Sequence, residues 1–144
     1  MKHDVLHMKQ RYNDGPMAHH NDVGRDGETV ASEFLIGKGL QIVDRNWSVP
    51  YGEIDIVARG TDGLVHFIEV KTVSWETRNS VSHETNPVEN VHPAKVRRLQ
   101  KAIQSYIASR KIADEWQFDV ISVRLDAENK IARVGWLQNV VLNS

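Results

Sequence analysis

The chain of 144 residues contains no cysteine, which excludes a disulfide framework and any metal site built on thiolates. No apolar run approaches the roughly 20 residues that are needed to span a bilayer. The first residues, Met1 to Leu6, also lack the hydrophobic stretch of a secretion signal. The sequence therefore favours a cytoplasmic protein that has no membrane partner.

The chain also has almost no net charge, with a formal value of −1. Such a balance argues against a protein that coats nucleic acid without specificity, although it leaves room for a local binding surface. The length suffices for one domain with a single core. Because residues 1–22 are polar and show no periodicity, we expect a flexible tail there and a folded domain over residues 23–144.

Helical periodicity begins near Gly27. The segment from Glu28 to Gly39 carries an apolar stripe and ends at a glycine that is typical of a helix stop. Glu28 lies at the edge of this stripe, whereas Glu33 lies about 140° further round the helix and is expected on the surface. The stripe consists of Val30, Ala31, Phe34 and Leu35.

A second helix is predicted from Pro93 to Arg110, where apolar residues recur at helical spacing. No acidic residue occurs between His92 and Ile112. A basic helix face is usually a solvated surface, but it is also a candidate for phosphate contacts. The residues of this basic face that we consider for nucleic-acid binding are Lys95, Arg97, Arg98 and Lys101.

Short connections at Pro50–Gly52 and Thr61–Gly63 favour an antiparallel arrangement of the strands that they join. The polar stretch over residues 74–91 is expected to be a long loop. The order helix, three strands, helix, two strands indicates an α/β fold. The strands are predicted at Gln41–Trp47, Glu53–Ala58, Leu64–Lys71, Phe118–Val123 and Lys130–Leu137.

Two of these strands are interrupted by acids, and the second of them adds a lysine. Because side chains alternate along a strand, Glu69 and Lys71 share one face and their apolar neighbours take the other. By the same alternation, Asp55 should project away from both Ile54 and Ile56. If the two strands pair, Asp55, Glu69 and Lys71 converge, and such a group suits a hard divalent cation beside a phosphodiester.

Each of these residues also has a structural interpretation. Asp55 would cap a turn, Lys71 would neutralise Glu69, and Glu28 would stabilise a helix N-terminus. Glu53 is expected on the face of Asp55, in a supporting or a surface role. Burial between isoleucines would be costly for Asp55 without a cation or a partner, which favours a metal ligand there. A further acid, at position 119, is expected to make structural hydrogen bonds at the end of its strand.

The order of elements and these motifs resemble the PD-(D/E)XK nuclease superfamily, which includes restriction endonucleases and archaeal Holliday junction resolvases. A closer resemblance, over about residues 24–125, is to the YraN family of small bacterial proteins that are expected to be endonucleases. That family usually has an arginine where this chain has Val73. The matching motifs are Gly24-Arg25-Asp26-Gly27-Glu28, Arg45-Asn46, Gly52-Glu53-Ile54-Asp55, Glu69-Val70-Lys71, the basic helix and Phe118-Asp119-Val120.

The resemblance implies a restriction-endonuclease-like α-β-β-β-α-β core with a central mixed sheet. It implies that Asp55, Glu69 and the Val70 carbonyl hold Mg²⁺ or Mn²⁺, that Glu28 contributes directly or through water, and that Lys71 orients the attacking water. The implied partner is DNA, including branched or structured DNA, and symmetric cutting of two strands would favour a homodimer. Two alternatives stay open: a non-catalytic nucleic-acid-binding module on the nuclease fold, and a small structural or dimerisation domain.

Overall fold

The computed structural model describes residues 5–11, 23–74, 93–126 and 128–142. They form one six-stranded sheet in the order β1-β6-β5-β4-β3-β2, with two helices. β4 and β5 run parallel, and the other four neighbouring pairs of strands are antiparallel. The elements are β1 (Val5–Arg11), α1 (Val23–Gly37), β2 (Gln41–Val49), β3 (Gly52–Arg59), β4 (Val65–Ser74), α2 (Pro93–Arg110), β5 (Trp116–Asp126) and β6 (Ile131–Leu137).

The two helices cover opposite faces of the sheet, so the protein has two apolar layers. Both predicted helical stripes are buried, which confirms the periodicity of the sequence. The α1-side core joins the stripe of α1 to Ile56, Ala58, Ile68, Ile121, Val123, Leu125, Ala132, Val134 and Trp136. The α2-side core joins Leu99, Ala102, Ile103 and Tyr106 of α2 to Ile54, Val57, Val65, Phe67, Phe118, Val120, Leu137 and Val140.

The expected α-β-β-β-α-β order is confirmed by α1, β2, β3, β4, α2 and β5. The first three of these strands form the predicted antiparallel meander, and α2 has the predicted bounds. The crossover through α2 places β5 parallel to β4, as a connection of that length allows. None of the helices in the described ranges is long and apolar enough to cross a membrane.

Two expectations for the start of the chain are wrong. Val5–Arg11 is not part of a tail but forms strand β1, which pairs antiparallel with β6. Helix α1 begins at Val23, so Glu28 lies in its second turn, where the helix dipole acts weakly. Residues 1–4 and 12–22, and residues 75–91 of the predicted loop, lie outside the described residues.

Candidate functional site

Strand β3 leaves strand β4 at Asp55. The last paired residues of the two strands are Ile56 and Ile68, so Asp55 and Glu69 lie just beyond the ladder. There the backbone N–H of Val70 donates a hydrogen bond to Oδ2 of Asp55 over 2.8 Å. A side chain therefore joins the two strands where the backbone ladder has ended.

The alternation of side chains is broken at the same point. Ile54 packs in the α2-side core, whereas Ile56 packs in the α1-side core. The prediction that Asp55 projects away from both isoleucines is therefore wrong, because the two point to opposite faces. On the neighbouring strand, Asn46 lies between the partners of Ile56 and Ile54 and has a left-handed φ of 52°, which asparagine tolerates better than most residues.

The Asp55 carboxyl is largely buried, and burial is the main cause that raises its pKa to about 7. The hydrogen bond from Val70 opposes this rise. The negative charges of Glu69, Glu28 and Glu53 add to it. The structure thus gathers three further carboxylates around Asp55, from helix α1 and from strands β3 and β4.

Glu28 reaches this group because α1 approaches β4 very closely. A Cβ at Gly27 would overlap Oγ1 of Thr72 and lie 2.7 Å from its Cγ2, so glycine is required for the contact. The carboxylate of Glu28 lies 3.9 Å from Nη2 of Arg45. The same Nη2 donates to Oγ1 of Thr29 over 3.4 Å. Strand β2 therefore supplies a cation to the acid of α1.

Glu69 faces helix α2. Its Oε1 forms an ion pair with Nζ of Lys95, and its side chain is 11% exposed. Helix α2 approaches the start of β3 closely, since a Cβ at Gly52 would lie 2.8 Å from the carbonyl oxygen of Arg98. Lys95 is predicted from the sequence to contact nucleic acid, but in the structure it forms an ion pair with Glu69, a candidate metal ligand.

The remaining predicted residues lie on β4 and α2. Lys71 is half-buried on β4, two residues after Glu69, and by strand alternation it faces the same side. The other members of the basic face, Arg97, Arg98 and Lys101, are exposed on α2. The ion pair of Lys95 with Glu69 places the first turn of α2 next to this acid.

A group of three acidic or histidine side chains already placed to hold a metal is not found among the described residues. Glu28 and Glu69 are each paired with a cationic side chain instead. The donor set nevertheless suits Mg²⁺ or Mn²⁺ chemically, since it offers carboxylate oxygens and includes a buried acid. A cation at these oxygens would have to replace the side-chain cations.

The buried Asp119 makes the structural hydrogen bonds that its sequence position predicts. Its Oδ2 accepts from Nδ1 of His66 over 2.7 Å and from Nε1 of Trp136 over 3.0 Å. Its Oδ1 accepts from the side chain of Gln117 and from the backbone of Asn139. Asp119 therefore fastens the segment after β6 to β5, away from the carboxylate group.

Sequence reasoning gave no role to Arg45, Asn46 or Thr72. The signal for Asn46 was present, because an asparagine within a strand pattern often marks a left-handed residue. The contact of Thr72 with Gly27 joins residues far apart in the chain, and no local pattern reports it.

Comparison with known proteins agrees with the resemblance to the YraN family. A UPF0102 protein of Flavobacterium psychrophilum is 41% identical over 107 residues, which cover 74% of this chain and 84% of that protein. A UPF0102 protein of Dictyoglomus turgidum is 34% identical over 119 residues, or 82% of this chain and 95% of that one.

Pyrococcus furiosus SfsA in complex with Ca²⁺ is similar with a TM-score of 0.35 and 13% identity, over 84% of this chain and 65% of that chain. This similarity is too low to bear on function. The family assignment rests instead on residues 27–123, which match the uncharacterised protein family UPF0102. The chain therefore belongs to the UPF0102 family, also called the YraN family.

Proposed function

We propose that this protein is a divalent-metal-dependent endonuclease that hydrolyses phosphodiester bonds in DNA, branched or otherwise structured DNA included. The observation that carries this proposal is the position of Asp55. It is a largely buried acid among three other carboxylates, at the point where two paired strands separate. Clustered carboxylates repel a phosphate backbone unless a cation lies between them, because both groups are negatively charged.

The residues that would hold Mg²⁺ or Mn²⁺ are Asp55, Glu69 and the carbonyl of Val70, with Glu28 bound directly or through water. When bound, the cation would supply Lewis acidity towards the scissile phosphate and would lower the pKa of a coordinated water. The Val70 N–H fixes one oxygen of Asp55. Asp55 must release its proton to act as a ligand, which its pKa of about 7 allows near neutral pH.

Lys71 orients the attacking water and offsets the negative charge that develops on the phosphate. Its position two residues beyond Glu69 keeps its ammonium on the side of the acids. Half-burial limits the solvent around it, which strengthens its electrostatic effect. Lys71 thus has the chemistry of a catalytic residue in this proposal.

DNA would approach along the exposed face of α2. Arg97, Arg98 and Lys101 are solvent-exposed there, and Lys95 of the same helix contacts Glu69. Phosphates bound to this face would therefore lie beside the carboxylates. Cutting both strands of a symmetric substrate would require a second active site, so a homodimer is part of the proposal.

A second candidate is a non-catalytic nucleic-acid-binding module. The observation that favours it is the pairing of Glu69 with Lys95 and of Glu28 with Arg45, since both acids are neutralised without a metal. Such a module would bind structured DNA through the basic helix face and would not cut it.

The test is cleavage of linear duplex, single strand, flap and four-way junction in Mn²⁺ or Mg²⁺. Wild type is compared with Asp55→Asn, Lys71→Ala and Glu28→Gln, and with Glu33→Gln as a control on the exposed side of α1. The proposal expects cutting by wild type and Glu33→Gln, no cutting by the first two variants, and reduced cutting by Glu28→Gln.

Cutting that survives both Asp55→Asn and Lys71→Ala would contradict the assignment of the site. Binding of a branched substrate without cutting by wild type would favour the binding module. If the wild-type protein neither bound nor cut any substrate, a small structural or dimerisation domain would be the better hypothesis.

A further inference from the structure

Lys95 contacts Glu69, an acid of the candidate metal site, although it belongs to the basic face of α2. Its Nζ pairs with Oε1 of Glu69, whose side chain is almost buried, while Lys95 itself is 47% exposed. The contact holds an acid of β4 and a cation of α2 together across the α2 side of the sheet. Lys95 is therefore bound to the site and is not a free member of the basic surface.

A nearly buried carboxylate needs a positive partner, because the loss of solvent is costly to an unpaired charge. The ammonium of Lys95 supplies that charge to Glu69. A divalent cation at the same oxygen would lie within a few ångströms of the ammonium, and the two positive charges would repel each other strongly. Lys95 and the cation therefore compete for Glu69.

We propose that Lys95 is the resident counter-ion of Glu69 and that a divalent cation binds at Glu69 by displacing it. This inference rests on the proposed function and assigns Lys95 as a positioning residue. It holds the Glu69 carboxylate in place before the cation arrives. Once displaced, its ammonium joins the exposed cations of α2, where it can neutralise a DNA phosphate.

The exchange couples the binding of metal to the binding of DNA. The cation releases an ammonium to the DNA surface, and a phosphate that holds Lys95 away from Glu69 frees the carboxylate for the cation. Such coupling is reciprocal, so each ligand raises the affinity for the other. The pairing of Glu28 with Arg45 is longer, at 3.9 Å, and is less suited to the same role.

The experiment is thermal melting of the full chain in a titration with Mn²⁺, for wild type, Lys95→Met and Arg97→Met. Arg97 is the matched control, because it is an exposed cation of the same helix. Without Mn²⁺, Lys95→Met should melt at a lower temperature than Arg97→Met. With Mn²⁺, its melting temperature should rise more than that of the other two proteins, because a ligand of the folded state stabilises it.

The apparent affinity of Lys95→Met for Mn²⁺ should increase by about tenfold or more, since one competing unit charge is removed. Lys95→Arg, which keeps the positive charge, should behave as wild type. If Lys95→Met does not fold, Lys95→Gln is measured in the same way.

Equal Mn²⁺ effects on the Lys95 and Arg97 variants would overturn the exchange while leaving the metal site intact. If Mn²⁺ stabilised none of the proteins, the metal site itself would be refuted, and the proposed function with it. The two failures are therefore distinguishable.

Discussion

The backbone N–H of Val70 lies 2.8 Å from Oδ2 of Asp55, one residue beyond the last paired position of β3 and β4. This hydrogen bond lowers the pKa of Asp55, yet burial outweighs it and raises the pKa from 3.8 to about 7. The folded protein thus holds a proton on Asp55 that the unfolded chain releases above about pH 4.

Asp55→Asn should stabilise the protein at neutral and alkaline pH. A folded-state pKa above the unfolded value means that Asp55 costs stability progressively as the pH rises from about 4 to about 7. Asparagine keeps an acceptor for Val70 without the charge, so the free energy of unfolding should increase by up to about 4 kcal/mol at pH 8 and by much less at pH 4. Urea denaturation at the two pH values measures the difference.

The control for this prediction is Asp114→Asn, because Asp114 is an exposed acid paired with Arg59. It should show no gain that grows with pH. A gain from Asp55→Asn that is equal at both pH values would contradict the buried-charge explanation.

In saturating Mn²⁺, the free energy of unfolding of the wild-type protein should no longer fall through Asp55 as the pH rises from 5 to 8. A bound cation favours the ionised carboxylate, so Asp55 would no longer hold a proton in the folded state. The measurement is denaturation with Mn²⁺ and with EDTA at both pH values. An unchanged pH dependence in Mn²⁺ would show that the cation does not bind at Asp55.

Gly27→Ala should destabilise the protein by about 1–3 kcal/mol, the usual cost of overpacking, because the added Cβ collides with Thr72. Gly37→Ala is the matched control, since no atom lies within 4 Å of a Cβ there and the residue is in the same helix. That substitution should be neutral or slightly stabilising. Thermal melting compares the two, and equal effects would refute the close approach of α1 to β4.

Most of the fold was predictable from the sequence, because periodicity reports local burial. The buried face of α2 and the alternation of Ile68 with Phe67 follow from patterns within single elements. Strand β1 was missed because Val5–Arg11 lacks a regular alternation of apolar and polar residues and, as an edge strand, pairs with β6 at the far end of the chain. Local sequence does not carry that pairing.

The acidic and lysine residues of the candidate site were also found from the sequence, but their partners were not. The Lys95–Glu69 ion pair depends on how α2 crosses the sheet, so helical spacing alone placed Lys95 on a solvated surface. The position of Ile54 depends on a break in the strand at Asp55, opposite the left-handed Asn46. Alternation predicts faces correctly only while a strand is regular.

Asp119→Ala should reduce the free energy of unfolding by about 3–5 kcal/mol, since it leaves buried donors without an acceptor. The buried donors include His66 Nδ1 and Trp136 Nε1. Asp114→Ala removes an exposed ion pair and should cost about 1 kcal/mol or less. Chemical denaturation measures both, and similar values for the two variants would contradict the structural role of Asp119.

Replacement of Arg97, Arg98 and Lys101 by glutamine should weaken DNA binding and flatten its dependence on salt. Each phosphate contact that is lost lowers the slope of log K against log[salt] by about 0.9 for duplex DNA. Lys38→Gln, an exposed cation at the end of α1, is the control. Binding measured by fluorescence anisotropy across a salt series would decide, and an unchanged slope would exclude α2 as the binding face.

The irregular strand β2 has a consequence for assembly, because β2 is an outer strand of the sheet. Its register shifts between Ile42 and Asp44, and its backbone turns left-handed at Asn46. An incoming chain could follow β2 without interruption for no more than the last three residues, Trp47 to Val49. The irregular backbone of β2 near Asp55 therefore also disfavours pairing of this edge strand with a strand of another molecule.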